Sequence, residues 1–382
     1  MKQKVLLAMS GGVDSSVAAL LLQKKGYEVI GAFMKNWSNT KDSLGECAWR
    51  GERRFALKIA AQLDIPLITL DFEKQYKEQV VNKMFQKYKK GITPNPDIDC
   101  NQKIKFPLLI KEAKKRGIDL IATGHFVRKN KKTQLLRAKD ESKDQSYFLY
   151  RIKKSELKHC LFPIGKYTKK QIREIAEKNN FPNFDKKSTV GICFIGKINL
   201  KKFLQQKIKP KKGKILDPEG NQIGEHDGIY YYTIGQRLGP RYGFDIKKEL
   251  DSQNLGNSKK EKGRVFAKGK LSGNLKSKKN LKKWYVAKKD IKKNILIAAP
   301  EGHKLNFRKK IIIKNTHWIE SKPKYKKVYA RIRHVGELLP AKLDLEKNQV
   351  ILKKSITGIS QGQAIVLYKG KKCLGGGEIE FE

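Results

Sequence analysis

The sequence predicts an α/β protein: a doubly wound parallel-sheet domain over residues 1–208, a small β-rich central domain over 209–282 and a C-terminal β-barrel over 283–382. Three observations predict it. Short apolar runs alternate with amphipathic stretches up to about residue 200, a Lys-rich connector follows at 201–214, and turn pairs such as Asp217-Pro218, Gly220-Asn221 and Asp227-Gly228 then separate short β-prone segments.

In chain order, residues 4–9 (KVLLAM) read as a buried strand, 16–25 as a helix closed by Gly26, and 28–34 (EVIGAFM) as the next strand. Residues 53–63 are helical, 66–72 (PLITLDF) a strand, 76–90 a helix ending at Gly91, 108–116 a helix and 119–123 (DLIAT) a strand. Parallel strands joined by helices place ligands at the carboxyl ends of the strands. Residues 229–234 open the β-rich part and 252–283 read as a solvated loop. Segments at 284–287, 295–299, 310–313, 328–332, 349–352 and 364–368 read as the strands of a closed barrel or sandwich.

Lys and Arg number 85 against 37 Asp and Glu, a formal charge of +48, so a polyanionic partner such as nucleic acid is expected. Only 14 of the 85 are Arg, and a drift of surface positions to Lys in an AT-rich genome would produce the same excess without a ligand. No apolar run reaches 18 residues and residues 1–9 are too short for a signal peptide, so the expected location is cytoplasmic, with no membrane contact. Cys47, Cys100, Cys160, Cys193 and Cys373 are odd in number and never form a C-x-x-C pair, which argues against a disulfide framework and a structural zinc site.

Three segments carry chemistry. Ser10-Gly11-Gly12-Val13-Asp14-Ser15-Ser16 lies between a strand and a helix, where adjacent glycines let backbone N–H groups, hydroxyls and the helix N-terminus cradle a phosphate. It is neither a Walker A loop nor a G-x-G-x-x-G fingerprint. In Thr93-Pro94-Asn95-Pro96-Asp97-Ile98-Asp99-Cys100-Asn101, two prolines fix an extended approach, and a helical turn would bring Asp97 near the Cys100 thiol. Cys193 sits in Gly191-Ile192-Cys193-Phe194-Ile195-Gly196, which alone reads as a core strand. Two cysteines in one phosphate-binding domain instead suggest a sulfur nucleophile for an activated oxygen.

The glycine loop resembles the PP-loop of N-type ATP pyrophosphatases, which cleave ATP between its α and β phosphates. Together with Ala122-Thr123-Gly124-His125, Ser142-Lys143-Asp144-Gln145-Ser146-Tyr147-Phe148-Leu149, Gly235-Gln236-Arg237 and Cys373-Leu374-Gly375-Gly376-Gly377, these motifs stand in the order seen in tRNA-specific 2-thiouridylases. The resemblance runs from Lys4 to Ile379. It implies thiolation of C2 of the wobble uridine in the tRNAs for Lys, Glu and Gln, with ATP and Mg²⁺ as cofactors.

Carried over residue by residue, the resemblance implies that Ala8, Met9, Ser10, Gly11, Gly12, Val13, Asp14 and Ser15 hold the ATP phosphates and that Met34 and Gly124 touch the nucleotide. Asn95, Pro96 and Asp97 would meet the flipped-out base, with Asp97 as general acid/base, Cys100 as nucleophile and Cys193 as carrier of a persulfide. A sulfur-relay protein or cysteine desulfurase would load that persulfide, and a Cys100–Cys193 disulfide would remain after transfer. His125, Lys143, Asp144, Gln145, Arg331, Ile332 and Gln363 match tRNA-contacting positions, and family precedent implies a monomer bound to tRNA. Metal ligands are not assigned, and Cys47, Cys160 and Cys373 read as structural.

The sequence departs from the family pattern at Ser188-Thr189-Val190-Gly191, where Asp-Ser-Thr-Gly is usual, at Ile332, where an aromatic is common, and at Met9, where Leu is usual. Two other readings compete: a different PP-loop ligase acting on tRNA or a nucleotide, and a non-catalytic RNA-binding protein. Neither requires the Cys100 and Cys193 pair.

Overall fold

The computed structural model describes residues 2–39, 47–186, 191–196, 198–239, 283–334 and 336–381. Of the expected solvated loop over 252–283, residues 252–282 lie outside the described residues, as do Ser188, Thr189 and Val190 of the departure.

The first part of the chain holds β1 (Lys4–Ala8), β2 (Glu28–Lys35), β3 (Leu67–Asp71), β4 (Leu120–Thr123), β5 (Val127–Lys129), β6 (Leu135–Arg137) and β7 (Cys160–Leu161). Five of these form one sheet in the order β3-β2-β1-β4-β7, with every pairing parallel. Helices cover both faces, so β1 is a continuous apolar run whose Val5, Leu6 and Leu7 are fully buried. The strand order turns back between β1 and β4, and this switch point opens the crevice where the glycine loop sits.

Helix Val13–Lys24 starts three residues earlier than the expected 16, directly on Gly12, so the loop and the helix N-terminus are one unit. The stretch 96–114 is a single helix rather than a loop followed by a helix at 108–116: α-helical Pro96–Cys100, a π turn Asn101–Lys105, then α-helical Phe106–Lys114. Pro96 fits its first turn, where no N–H is needed, and Asn95 caps it by accepting from the Ile98 N–H at 3.3 Å. A second π turn, Lys77–Val81, follows Tyr76 in the neighbouring helix.

A four-stranded sheet follows, built from β8 (Gly213–Leu216), β9 (Gln222–His226), β10 (Trp284–Asp290) and β11 (Ile295–Pro300) in the order β10-β11-β8-β9. The expected boundary at 283 is therefore corrected: β10 and β11 pair with the middle sheet, not with the barrel. Their apolar positions Val286, Leu296 and Ala298 complete a core with Ile215, Ile229 and Tyr232 that β8 and β9 are too short to close alone.

The barrel is β12 (Phe307–Trp318), β13 (Lys327–Arg331), β14 (Leu339–Asp344), β15 (Gln349–Thr357), β16 (Ala364–Lys369) and β17 (Lys372–Glu380), closed by pairing of β12 with β17. Ile311, Ile313, Val328, Val350, Ile365 and Leu367 fill it. The β5–β6 hairpin joins the barrel through β17, so the first domain and the barrel share one hydrogen-bonded ladder.

Candidate thiol and nucleotide site

The glycine loop is formed by close contact. Gly11 has φ of +75°, and a Cβ there would lie 2.0 Å from the Glu52 carbonyl oxygen, so no larger residue fits. The Ser15 and Ser16 hydroxyls both donate to the Gly12 carbonyl, at 2.9 and 3.1 Å, and the buried Asn183 amide donates to the Gly11 carbonyl at 3.0 Å. Ser10 stays exposed at the mouth, with Met9 and Val13 buried beneath and Ala8 half-buried at the end of β1. Asp14 is ion-paired with Lys169, yet burial keeps its carboxyl above the usual range. Gly124, at the end of β4, packs against this loop: a Cβ would come within 2.8 Å of the Ser15 nitrogen. Met34 is buried at the carboxyl end of β2.

The thiols meet next to that strand end. Cys100, fully buried on helix 96–114, donates its S–H toward Cys193, with the sulfurs 3.8 Å apart. Cys193 lies in a tight turn closed by an Ile192 to Gly196 bridge, not in the core strand its apolar neighbours suggest. Two contacts hold the turn. Asp97 Oδ1 accepts from the Cys193 N–H at 2.8 Å, and the Tyr76 hydroxyl donates to the Cys193 carbonyl at 2.5 Å. All described cysteines are free thiols.

The electrostatics of the pair are unequal. Burial, with the neighbouring Cys193 sulfur, pushes the Cys100 thiol well up. The hydrogen bond from Cys100, aided by Lys105 and opposed by burial, brings the Cys193 thiol below its ordinary value. Cys193 is thus the sulfur that ionises first. Burial raises the Asp97 carboxyl against the pull of the Cys193 N–H and Lys105.

Lys105 was not singled out by residue pattern, because in a regular helix a residue five positions on from Cys100 is turned roughly 140° away. The π turn, with the Phe106 N–H bonded to the Asn101 carbonyl, brings Lys105 back to the same face. Its Nζ lies 3.3 Å from His125 Nε2, and His125 Nδ1 is 2.8 Å from Thr123 Oγ1. Burial and then the Lys105 charge depress the His125 imidazole well below the ordinary range. The ring is therefore neutral, accepts from Lys105 and donates to Thr123. His125, expected as a tRNA contact, is stacked at 5.8 Å on Phe106 and bridges the thiols to the end of β4.

The remaining expected positions divide. Gln363 of the barrel donates from Nε2 to the Thr93 and Pro94 carbonyls, at 3.0 and 2.9 Å, and its Oε1 accepts from Asn95, so the barrel clamps the segment that leads into Asp97. Lys143 is exposed and Gln145 accepts from the Phe126 N–H at 2.9 Å. Asp144, Arg331 and Ile332 are buried at the joint between barrel and first domain. Arg331 donates to Asp144 at 2.7 Å, and Asp144 also accepts from Ser146 Oγ and the Ala138 N–H. Arg331, expected as a tRNA contact, is thus engaged by a carboxylate that could not be buried unpaired. Cys160 and Cys373 are buried with thiols pushed far up, as structural cysteines should be. Among the described residues, no three His, Cys, Asp or Glu side chains converge as a metal nest.

The family description "tRNA methyl transferase HUP domain" matches residues 3–197, "tRNA methyl transferase PRC-barrel domain" matches 201–252 and "Aminomethyltransferase beta-barrel domain" matches 308–379. The tRNA-specific 2-thiouridylase MnmA of Methylobacillus flagellatus is 39% identical over 99% of both chains. Its namesake from Blochmanniella pennsylvanica is 41% identical over 99% of this chain and 97% of its own, and that from Lactobacillus helveticus is 37% identical over 99% and 96%. With this likeness spanning all three parts of the fold, the chain belongs to the tRNA-specific 2-thiouridylase family.

Proposed function

We propose that this chain is an ATP-dependent tRNA sulfurtransferase that thiolates C2 of the wobble uridine in the tRNAs for Lys, Glu and Gln. The observation that carries the reading is the pairing of two free thiols 3.8 Å apart beside a phosphate-cradling loop, the two joined by Thr123, Gly124 and His125 at the end of β4. The names of the relatives supply the substrate class.

The glycine loop, with Ser10 at its mouth, holds the ATP phosphates, and Met34 and Gly124 bound the nucleotide. Mg²⁺ bound with the ATP at the glycine loop would neutralise charge on the departing pyrophosphate. A wobble base is unpaired or weakly stacked, so turning it toward Asn95, Pro96 and Asp97 costs little. The C2 oxygen attacks the α phosphorus and pyrophosphate departs, which converts a carbonyl oxygen into a good leaving group. The terminal sulfur of a Cys193 persulfide then attacks C2 and AMP leaves with the former C2 oxygen. Finally the Cys100 thiolate attacks Cys193 Sγ. The persulfide S–S bond breaks with its electron pair going to the sulfur on C2, the Cys100–Cys193 disulfide forms, and a thiol reductant resets the pair. Asp97, held on the Cys193 N–H, takes and returns the protons. The sulfur arrives as a persulfide from a relay protein or cysteine desulfurase. Lys143 and the wider Lys excess supply phosphate contacts.

The test is stoichiometry. Unmodified glutamate tRNA, ATP, Mg²⁺ and a persulfide donor should yield AMP, pyrophosphate and 2-thiouridine in equal amounts. AMP and pyrophosphate without thiouridine would point to a different PP-loop ligation, and neither product to a non-catalytic RNA-binding protein.

A further inference from the structure

Sulfur transfer needs an anionic sulfur on Cys193 twice: as the thiolate that takes sulfur from the donor persulfide, and as the persulfide anion that attacks C2. The turn that carries Cys193 supplies little for this. Its backbone N–H is turned to Asp97, whose carboxylate disfavours a second negative charge nearby, and its carbonyl to the neutral Tyr76 hydroxyl, so neither group supports a sulfur anion. The Cys100 S–H is an acceptable partner only until Cys100 itself ionises.

Among the described residues, one cation faces the pair. Lys105 emerges from the π turn on the Cys100 face, where its charge acts on the Cys193 sulfur. Its ammonium lies 5.7 Å from the centre of the Phe194 ring, the residue after Cys193, and 3.3 Å from His125 Nε2. Every group around it fits a retained positive charge: two sulfurs, the Asp97 carboxylate, an aromatic face and a neutral imidazole acceptor. Burial alone would depress Lys105, but the Cys193 and Cys100 sulfurs and Asp97 outweigh it and hold the ammonium above the usual lysine range.

We propose that Lys105 is the resident counter-cation of the sulfur relay: it holds the Cys193 sulfur as an anion while sulfur is loaded and passed on, and His125, fixed by Thr123, holds Lys105 in place. This rests on the reading of Cys193 as the sulfur carrier. In loading, the Cys193 thiolate attacks the terminal sulfur of a protein persulfide, the donor S–S bond breaks, a new S–S bond forms on Cys193 and the donor cysteine leaves as thiolate. No proton or external electron is needed, provided Lys105 keeps the attacking sulfur ionised. Among the described residues, helix 96–114 (Asp97, Cys100, Lys105), helix 73–89 (Tyr76) and the end of β4 (His125) supply the titratable groups that face this sulfur.

The test uses the full chain without ATP or tRNA, so it is independent of thiolation. Alkylation of Cys193 by iodoacetamide is followed across pH by peptide-resolved mass spectrometry. Lys105→Met should move the midpoint up by about one pH unit or more and slow alkylation at pH 7 by about tenfold, while Lys105→Arg keeps most of the reactivity. A folded Lys105→Met chain with an unmoved midpoint overturns the proposal. A second readout needs no variant: near a fixed cation, the anionic reagent iodoacetate should be favoured over iodoacetamide at Cys193 relative to free cysteine. A ratio no higher than that of free cysteine overturns it equally. Thiouridine formation that survives Cys193→Ser would instead sink the carrier reading and leave the alkylation result standing.

Discussion

Asp144 offers a sharp test of how the barrel is fastened. Its side chain is fully buried and accepts from Arg331 at 2.7 Å, Ser146 Oγ at 2.8 Å and the Ala138 N–H at 3.0 Å. Arg331 is itself only 5% exposed at the side chain, and its Nε has no partner, so its charge depends on Asp144. Asp144→Ala leaves that guanidinium buried and uncompensated, which costs about 3–5 kcal/mol. At about 2–4 °C per kcal/mol for units of 150–250 residues, the barrel-linked melting transition should fall by about 6–20 °C in calorimetry. Arg331→Ala should lose a similar amount. Replacing both at once, Asp144→Leu with Arg331→Met, should cost well under the sum, since no charge is then left alone. If Asp144→Ala melted within about 2 °C of the parent while losing tRNA affinity, the pair would be a tRNA contact and not a fastening, and the reasoning would fail.

Other consequences are open to measurement. Gly11→Ala, with its Cβ 2.0 Å from the Glu52 oxygen at φ +75°, should abolish tRNA-dependent pyrophosphate release; retention of even half would contradict the cradle. Gln363→Ala frees the Thr93 and Pro94 carbonyls and should lower thiolation while leaving the Km for ATP within about twofold, since the loop it clamps leads to Asp97 and not to the phosphates. Burial holds His125, His226, His317 and His334 below the ordinary range, so the unfolded chain takes protons first. Stability is therefore full above about pH 6.5 and should fall on acidification below it, by up to about 1.4 kcal/mol per pH unit for each histidine. A melting temperature flat from pH 7 to 5.5 would count against their neutral burial.

Much of this was legible in the sequence, and the limits have physical causes. The parallel sheet could be read because its strands, buried on both faces, are unbroken apolar runs such as Val5 to Leu7, and the loop because Gly11-Gly12 interrupts that pattern abruptly. The middle unit was misjudged at β10 and β11, since nothing local in Val286 or Leu296 tells which sheet they will complete; that depends on β8, some 80 residues earlier. Lys105 was hidden by a π turn, which has no residue signature and changes which side chains share a helix face. Asp144 and Arg331 were expected as tRNA contacts, since nothing local shows that each has the other as partner; their meeting at 2.7 Å across the domain joint makes burial tolerable. Gln363 was singled out by resemblance as a tRNA contact, and its hold on Thr93 and Pro94 is visible only in three dimensions.

The central claim is that Cys193 carries the sulfur that ends on C2 of the wobble uridine. Its most direct test is nucleoside mass spectrometry of unmodified glutamate tRNA incubated with ATP, Mg²⁺ and a ³⁴S-labelled protein persulfide, using the unmutated chain, Cys193→Ser and Cys100→Ser. The account predicts ATP-dependent ³⁴S-2-thiouridine with the unmutated chain, none with Cys193→Ser, and a label held as persulfide on Cys193 in Cys100→Ser. Labelled 2-thiouridine at the unmutated rate from Cys193→Ser would contradict it.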